Sequence, residues 1–170
     1  IMQLTCSLDR AMSGGPAYAW EPEKGVHIGI MPRNGSVNDL RWFKGDPSFV
    51  FHPMNAHTDD NIVTCDVCEF EQAPLFPWAD GTPGDPAKSV PRLTRWRFDL
   101  AANSDEFKSE RLDDLACEFP RLDERFTATN YRYGFFAADN NPKFKVGGFN
   151  GIGRVDHESG NTEIHDVGEA

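Results

Sequence analysis

The sequence contains no long apolar run. No stretch approaches the roughly 18 apolar residues that a membrane-spanning helix requires. Positive charge is also scarce: 17 Lys and Arg stand against 27 Asp and Glu, a formal net charge of -10. That balance argues against nucleic acid or an anionic membrane surface as a partner. Cysteine is sparse, at positions 6, 65, 68 and 117. Cys65-Asp66-Val67-Cys68 has C-x-x-C form, but no second Cys or His pair lies at the spacing of a structural zinc site. The pair sits in a β-branched apolar run, where residues three apart face opposite sides of a strand. Buried, reduced thiols are the expectation. Ile1-Met2-Gln3-Leu4 has neither the basic region nor the apolar run of a secretion signal. The expected compartment is therefore cytoplasmic and reducing.

Helical periodicity is weak as well, and what remains is β. In 170 residues, enough for one domain with a sizeable core, short segments alternate apolar and polar positions. Val26/Ile28/Ile30, Phe49/Phe51, Trp96/Phe98/Leu100 and Tyr131/Tyr133/Phe135 are examples, separated by Gly, Pro, Asn and Asp turns. The other face of Arg95-Trp96-Arg97-Phe98-Asp99 is charged, which predicts a half-exposed strand. Ser104 to Leu115 fits either a helix or an amphipathic strand. A faint repeat of strand, acidic turn and strand recurs at Trp20–Ile28, Phe98–Phe107 and Val155–Ile164. Recurrent hairpins at such intervals suit a β-propeller, with a sandwich or jelly roll as the other all-β solutions. Residues 72–91 break the pattern with five prolines and two glycines. A loop of that length is often functional. Its Ala73-Pro74-Leu75-Phe76-Pro77-Trp78 patch either walls a cavity or anchors a surface loop.

The most informative segment is Phe49-Val50-Phe51-His52-Pro53-Met54-Asn55-Ala56-His57-Thr58-Asp59-Asp60, followed by the apolar run Ile62–Cys68. It reads as a strand ending on His52, a polar turn and a second strand. An imidazole held on a rigid sheet among apolar neighbours suits a metal ligand, although a lone His is more often structural.

Four segments carry a resemblance. Asp39-Leu40-Arg41-Trp42-Phe43, Phe51-His52-Pro53-Met54-Asn55-Ala56, Cys117-Glu118-Phe119-Pro120-Arg121-Leu122-Asp123-Glu124-Arg125 and Tyr131-Arg132-Tyr133-Gly134 are similar to the carotenoid cleavage oxygenase family, closest to its lignostilbene dioxygenase-like branch. The resemblance implies a seven-bladed β-propeller with a non-haem Fe(II) on its axis. In that family four histidines hold the iron, and glutamates behind them accept the outer N–H of the ligand rings. O₂ adds across an electron-rich C=C bond, and two carbonyl products leave. By this resemblance His52 is a metal ligand and Glu118 the glutamate behind such a ring. Phe51 would face the substrate cavity, and Phe76 would line the tunnel. The implied partners are O₂ and a small apolar or phenolic substrate, a stilbenoid or a carotenoid or apocarotenoid.

The departures matter too. His27, His57, His157 and His165 do not match the family's other ligands. His27, His157 and His165 read as surface or sheet-face residues and His57 as structural. The chain therefore resembles a central fragment, two to three blades of one propeller domain spanning residues 1–170, with no catalytic residue assigned within it. One ligand cannot hold catalytic iron, so the fragment alone is expected to be inactive. The alternative is a non-catalytic β-propeller binding or scaffold module that lacks a complete metal site. The histidine set of the complete gene product separates the two.

Overall fold

A computed structural model describes residues 3–139 and 148–168. The elements are β1 (Leu4–Cys6), α1 (Leu8–Met12), β2 (Tyr18–Trp20), β3 (Val26–Ile30), β4 (Arg41–Gly45), β5 (Phe49–Asp59), β6 (Ile62–Phe70), β7 (Arg92–Asp99), β8 (Lys108–Leu122), β9 (Tyr133–Asp139), β10 (Gly151–Asp156) and β11 (Asn161–Asp166), with short 3₁₀ turns between some of them. Ser104 to Leu115, open between helix and strand in sequence, is mostly β8. The chain divides into two compact units. One comprises Ile1–Phe49, Phe70–Ser89 and Asn103–Phe107; the other comprises Val50–Glu69, Val90–Ala102 and Lys108–Ala170.

In the first unit β1 pairs with β2 and β3 with β4, both antiparallel. The expected hairpin over Trp20–Ile28 does not form, because β2 and β3 turn to these other partners. Trp20, Phe49, Phe70 and Ala73 make the unit's buried cluster, with Leu4 and Phe76 packed against it. Each fully buried large side chain contributes about 1.5–3 kcal/mol of transfer free energy. The Pro/Gly-rich loop closes on itself: Gln72 N–H donates to Lys88 O at 3.1 Å, and the Gln72 Oε1 accepts from Asp85 N–H at 3.3 Å. Trp20 N–H donates to Pro77 O at 2.8 Å, which pins the loop to β2.

The second unit carries a seven-stranded antiparallel sheet in the order β11-β10-β9-β8-β7-β6-β5. Its construction is two blades sharing one strand. Lys108–Arg111 of β8 pair with β7, whereas Cys117–Leu122 pair with β9, and Ala116 faces both Arg92 and Asp139. The first part of β8 is exposed and polar; Ala116, Cys117 and Glu118 are buried. So β5, β6, β7 and the start of β8 form one four-stranded blade. The end of β8 with β9, β10 and β11 forms the next. Four-stranded antiparallel blades in series are the units of a β-propeller. The hairpin turns carry the expected chemistry: Asp60 at φ 50° closes β5–β6, and Gly160 at φ 73° closes β10–β11.

The core of this unit includes Met54, Cys68, Leu93, Cys117, Phe136 and Val155. In β9 the buried positions are Gly134, Phe136, Ala138 and Asp139, while Tyr133 and Phe135 are exposed. The apolar alternation at Tyr131/Tyr133/Phe135 thus marks a strand but not its core face. All four cysteines are free; Cys68 and Cys117 are buried and Cys65 is half-buried. Burial pushes the Cys65 thiol up to about 12.

Candidate functional site

His52 lies three residues inside the eleven-residue β5, not at its end. The strand runs on through Pro53 because the chain does not turn until Asp60-Asn61. Two features deliver Glu118 to it. The register of β8 shifts between Glu118 and Arg121, and Phe119 adopts φ 53°. A bulge of this kind re-aims a side chain. Here Glu118 turns inward, 5% exposed, while Phe119 turns outward, 57% exposed.

Glu118 Oε2 accepts from His52 Nδ1 at 2.6 Å and from the Phe119 N–H at 2.7 Å. Glu118 Oε1 is buried and has no hydrogen-bond partner among the described residues. With Nδ1 donating to this carboxylate oxygen, a neutral imidazole keeps its lone pair on Nε2. The His52 side chain is 47% exposed. The Phe119 ring stands 5.3 Å from the imidazole and packs edge-on to Phe149 at 5.9 Å. Sequence reading gave Phe119 no role; the aromatic residue between the acid and Pro120 was the available signal. Phe51, beside His52, is 41% exposed. Phe76 is placed in the other unit, against Phe49 at 6.3 Å.

An imidazole with a carboxylate behind it and its free nitrogen outward is the arrangement of a histidine metal ligand, and neutral imidazole suits iron. The residues fit one corner of such a site. Among the described residues no group of three or more His, Cys, Asp or Glu could hold a metal ion.

The other histidines divide. His27 and His165 sit on β3 and β11, as expected for sheet-face residues. His157 does not behave as a surface residue: its side chain is only 7% exposed. It belongs to a buried network that the sequence did not disclose. Arg95 holds Asp66 with two hydrogen bonds, Nε to Oδ1 at 2.7 Å and Nη2 to Oδ2 at 2.8 Å. Tyr131 donates its O–H to Asp66 Oδ2 at 2.5 Å, and Arg95 Nη2 donates to His157 Nδ1 at 3.1 Å. Since that nitrogen accepts, His157 is neutral. Burial lowers the pKa of both His157 and half-buried His57. Burial, and then the Asp66 charge, raises that of Tyr131. Arg95 and Asp66 come from one blade and Tyr131 and His157 from the next, so the network ties the two. Beside it lies a cavity of about 770 Å³, whose walls include His57, Arg95, Phe126, Tyr131 and His157 but neither His52 nor Glu118.

Two antiparallel blades with a histidine–glutamate pair reaching between their strands make a partial β-propeller that carries a candidate site. Comparison with known proteins gives the particular family. The chain matches the retinal pigment epithelial membrane protein (RPE65) family over residues 1–170 and belongs to it. It is 42% identical over 141 residues to isoeugenol monooxygenase of Pseudomonas putida, covering 82% of this chain and 30% of that protein. It is 34% identical over 169 residues to lignostilbene-alpha,beta-dioxygenase isozyme III of Sphingomonas paucimobilis, covering 89% of this chain and 34% of the relative. The crystal structure of Pseudomonas brassicacearum lignostilbene dioxygenase superposes with a TM-score of 0.89 at 32% identity, over 99% of this chain and 38% of that one. The chain thus spans about a third of the length of these relatives.

Proposed function

We propose that the chain is the central part of a non-haem Fe(II) dioxygenase that cleaves a C=C bond of a phenolic alkene with O₂ to give two carbonyl products. The observation that carries this reading is the 2.6 Å contact between His52 Nδ1 and Glu118 Oε2. In it His52 supplies one metal ligand through Nε2, and Glu118 holds the ring in the tautomer that leaves Nε2 unprotonated. The carboxylate also raises the basicity of that nitrogen. Iron, when bound, would supply the site at which O₂ meets the alkene. Phe51 and Phe119 flank His52 and offer apolar surface to a flat substrate. The names of the relatives at 42% and 34% identity, an isoeugenol monooxygenase and a lignostilbene dioxygenase, support a stilbenoid or related phenolic substrate. A carotenoid cleavage oxygenase of Mycobacterium tuberculosis, 34% identical over 69% of this chain, keeps carotenoids and apocarotenoids as the second class.

The test uses the full-length protein. His52→Ala is expected to abolish iron retention and turnover. Glu118→Gln keeps an acceptor but loses the charge, and is expected to lower metal affinity or activity about 10–100-fold. Iron content per chain and turnover of a stilbene and of an apocarotenoid are measured for each variant. A His52→Ala enzyme that keeps both iron and rate would overturn the assignment.

A further inference from the structure

His52 and Glu118 meet although their strands are not neighbours: β6 and β7 lie between β5 and β8 in the sheet. No ladder of backbone hydrogen bonds therefore sets their separation, and something else must hold β5 against the chain of β8. Asn55, three residues beyond His52 on the same strand and only 7% exposed, is placed to do this. Its Nδ2 donates to Phe126 O at 3.4 Å and to Thr129 O at 3.1 Å, and its Oδ1 accepts from the Ala128 N–H at 3.0 Å. All three partners lie in the turn that leaves β8, and Ala128 there adopts φ 63°, a conformation L residues rarely take. Both amide hydrogens and the oxygen of one side chain thus grip a turn that follows the Glu118 bulge. Only an amide of this length supplies two donors and an acceptor at once.

We propose that Asn55 is a positioning residue: by clamping β5 to the turn after β8, it sets the approach of His52 Nδ1 to Glu118 Oε2. The proposal rests on the reading of His52 as a metal ligand for its purpose, but not for its test. Asn55→Asp keeps the shape, loses both donors and sets a carboxylate against two carbonyl oxygens. Asn55→Ala removes the clamp.

The test is the tautomeric state of His52, read from the ¹⁵N shifts of its imidazole in the metal-free full-length protein. The unaltered chain is expected to show one neutral form, protonated at Nδ1. Both Asn55 variants are expected to show a mixture of the two tautomers. Val155→Ala, which removes methyl groups from the same unit's core, is expected to lower the unfolding midpoint and leave the single form intact. Where Asn55→Ala unfolds, it is combined with Ala128→Gly, since glycine accepts the positive φ without an anchor. That pair is expected to regain folding but keep the mixed tautomers. A single Nδ1–H form in the Asn55 variants, or its return in the Ala128→Gly background, would overturn the proposal. In the full-length protein, Asn55→Asp is expected to weaken Co(II) binding about 10–100-fold, the range typical of losing support behind a ligand. Unchanged Co(II) affinity with mixed tautomers would count against His52 as a ligand and leave the clamp standing.

Discussion

Gly134 shows how closely the second unit is packed. It lies on the buried face of β9, and a Cβ built there would meet the Met54 sulfur and its terminal methyl. Met54 cannot withdraw freely, because the Tyr131 hydroxyl lies 3.2 Å from its sulfur. Gly134→Ala is therefore expected to cost about 1–3 kcal/mol, the usual penalty of overpacking, measured as a shift in the urea midpoint at constant slope. The strain would fall two residues from His52 along β5, so the full-length variant is also expected to retain less metal. Gly160 makes the contrast. Its φ is 73° and nothing lies within 4 Å of a Cβ there, so its requirement is backbone conformation rather than space.

Among the elements, the ion pairs of β7 and β10 separate two kinds of electrostatics. Arg95 and Asp66 sit opposite each other on β7 and β6, with side chains 15% and 1% exposed. Arg154 and Glu163 sit opposite each other on β10 and β11, with side chains 43% and 72% exposed. Arg95→Ala strands a buried carboxylate and is expected to cost about 3–5 kcal/mol. Arg154→Ala is expected to cost about 1 kcal/mol or less. Chemical denaturation of both variants checks this, and equal losses would show that burial does not distinguish the pairs. The same elements show what the sequence disclosed. Alternation found β3 and β7 because one face of each is apolar. It gave the wrong core face for β9, where Gly134 and Ala138 supply the interior and the larger Tyr133 and Phe135 face outward. His52 and Glu118 were legible only through the family resemblance, since 66 residues separate them and no local pattern predicts their meeting. The Asp66–Arg95–Tyr131–His157 network stayed hidden for the same reason: its members lie on separate strands and turns, and His157 sits in an acidic turn that reads as surface.

At the scale of the whole chain, stability should depend on pH through His57 and His157. Burial lowers the pKa of both, so the folded state resists protons that the unfolded chain accepts near 6.5. Stability is then full above about pH 6.5 and falls as the pH drops below it, because the unfolded state binds more protons there. The free energy of unfolding is expected to be lower at pH 5.5 than at pH 7.5, and His157→Gln is expected to flatten that slope. A slope unchanged in His157→Gln would assign the effect to other groups. The strand shared by the two blades has a consequence for how the chain assembles during synthesis. Because the last strand of one blade and the first strand of the next are a single segment, the ribosome delivers them together. As β8 closes the first blade on β7, its far end already presents an ordered edge to β9. The second blade thus grows from a ready template, adding β9, β10 and β11 one after another, and need not nucleate alone.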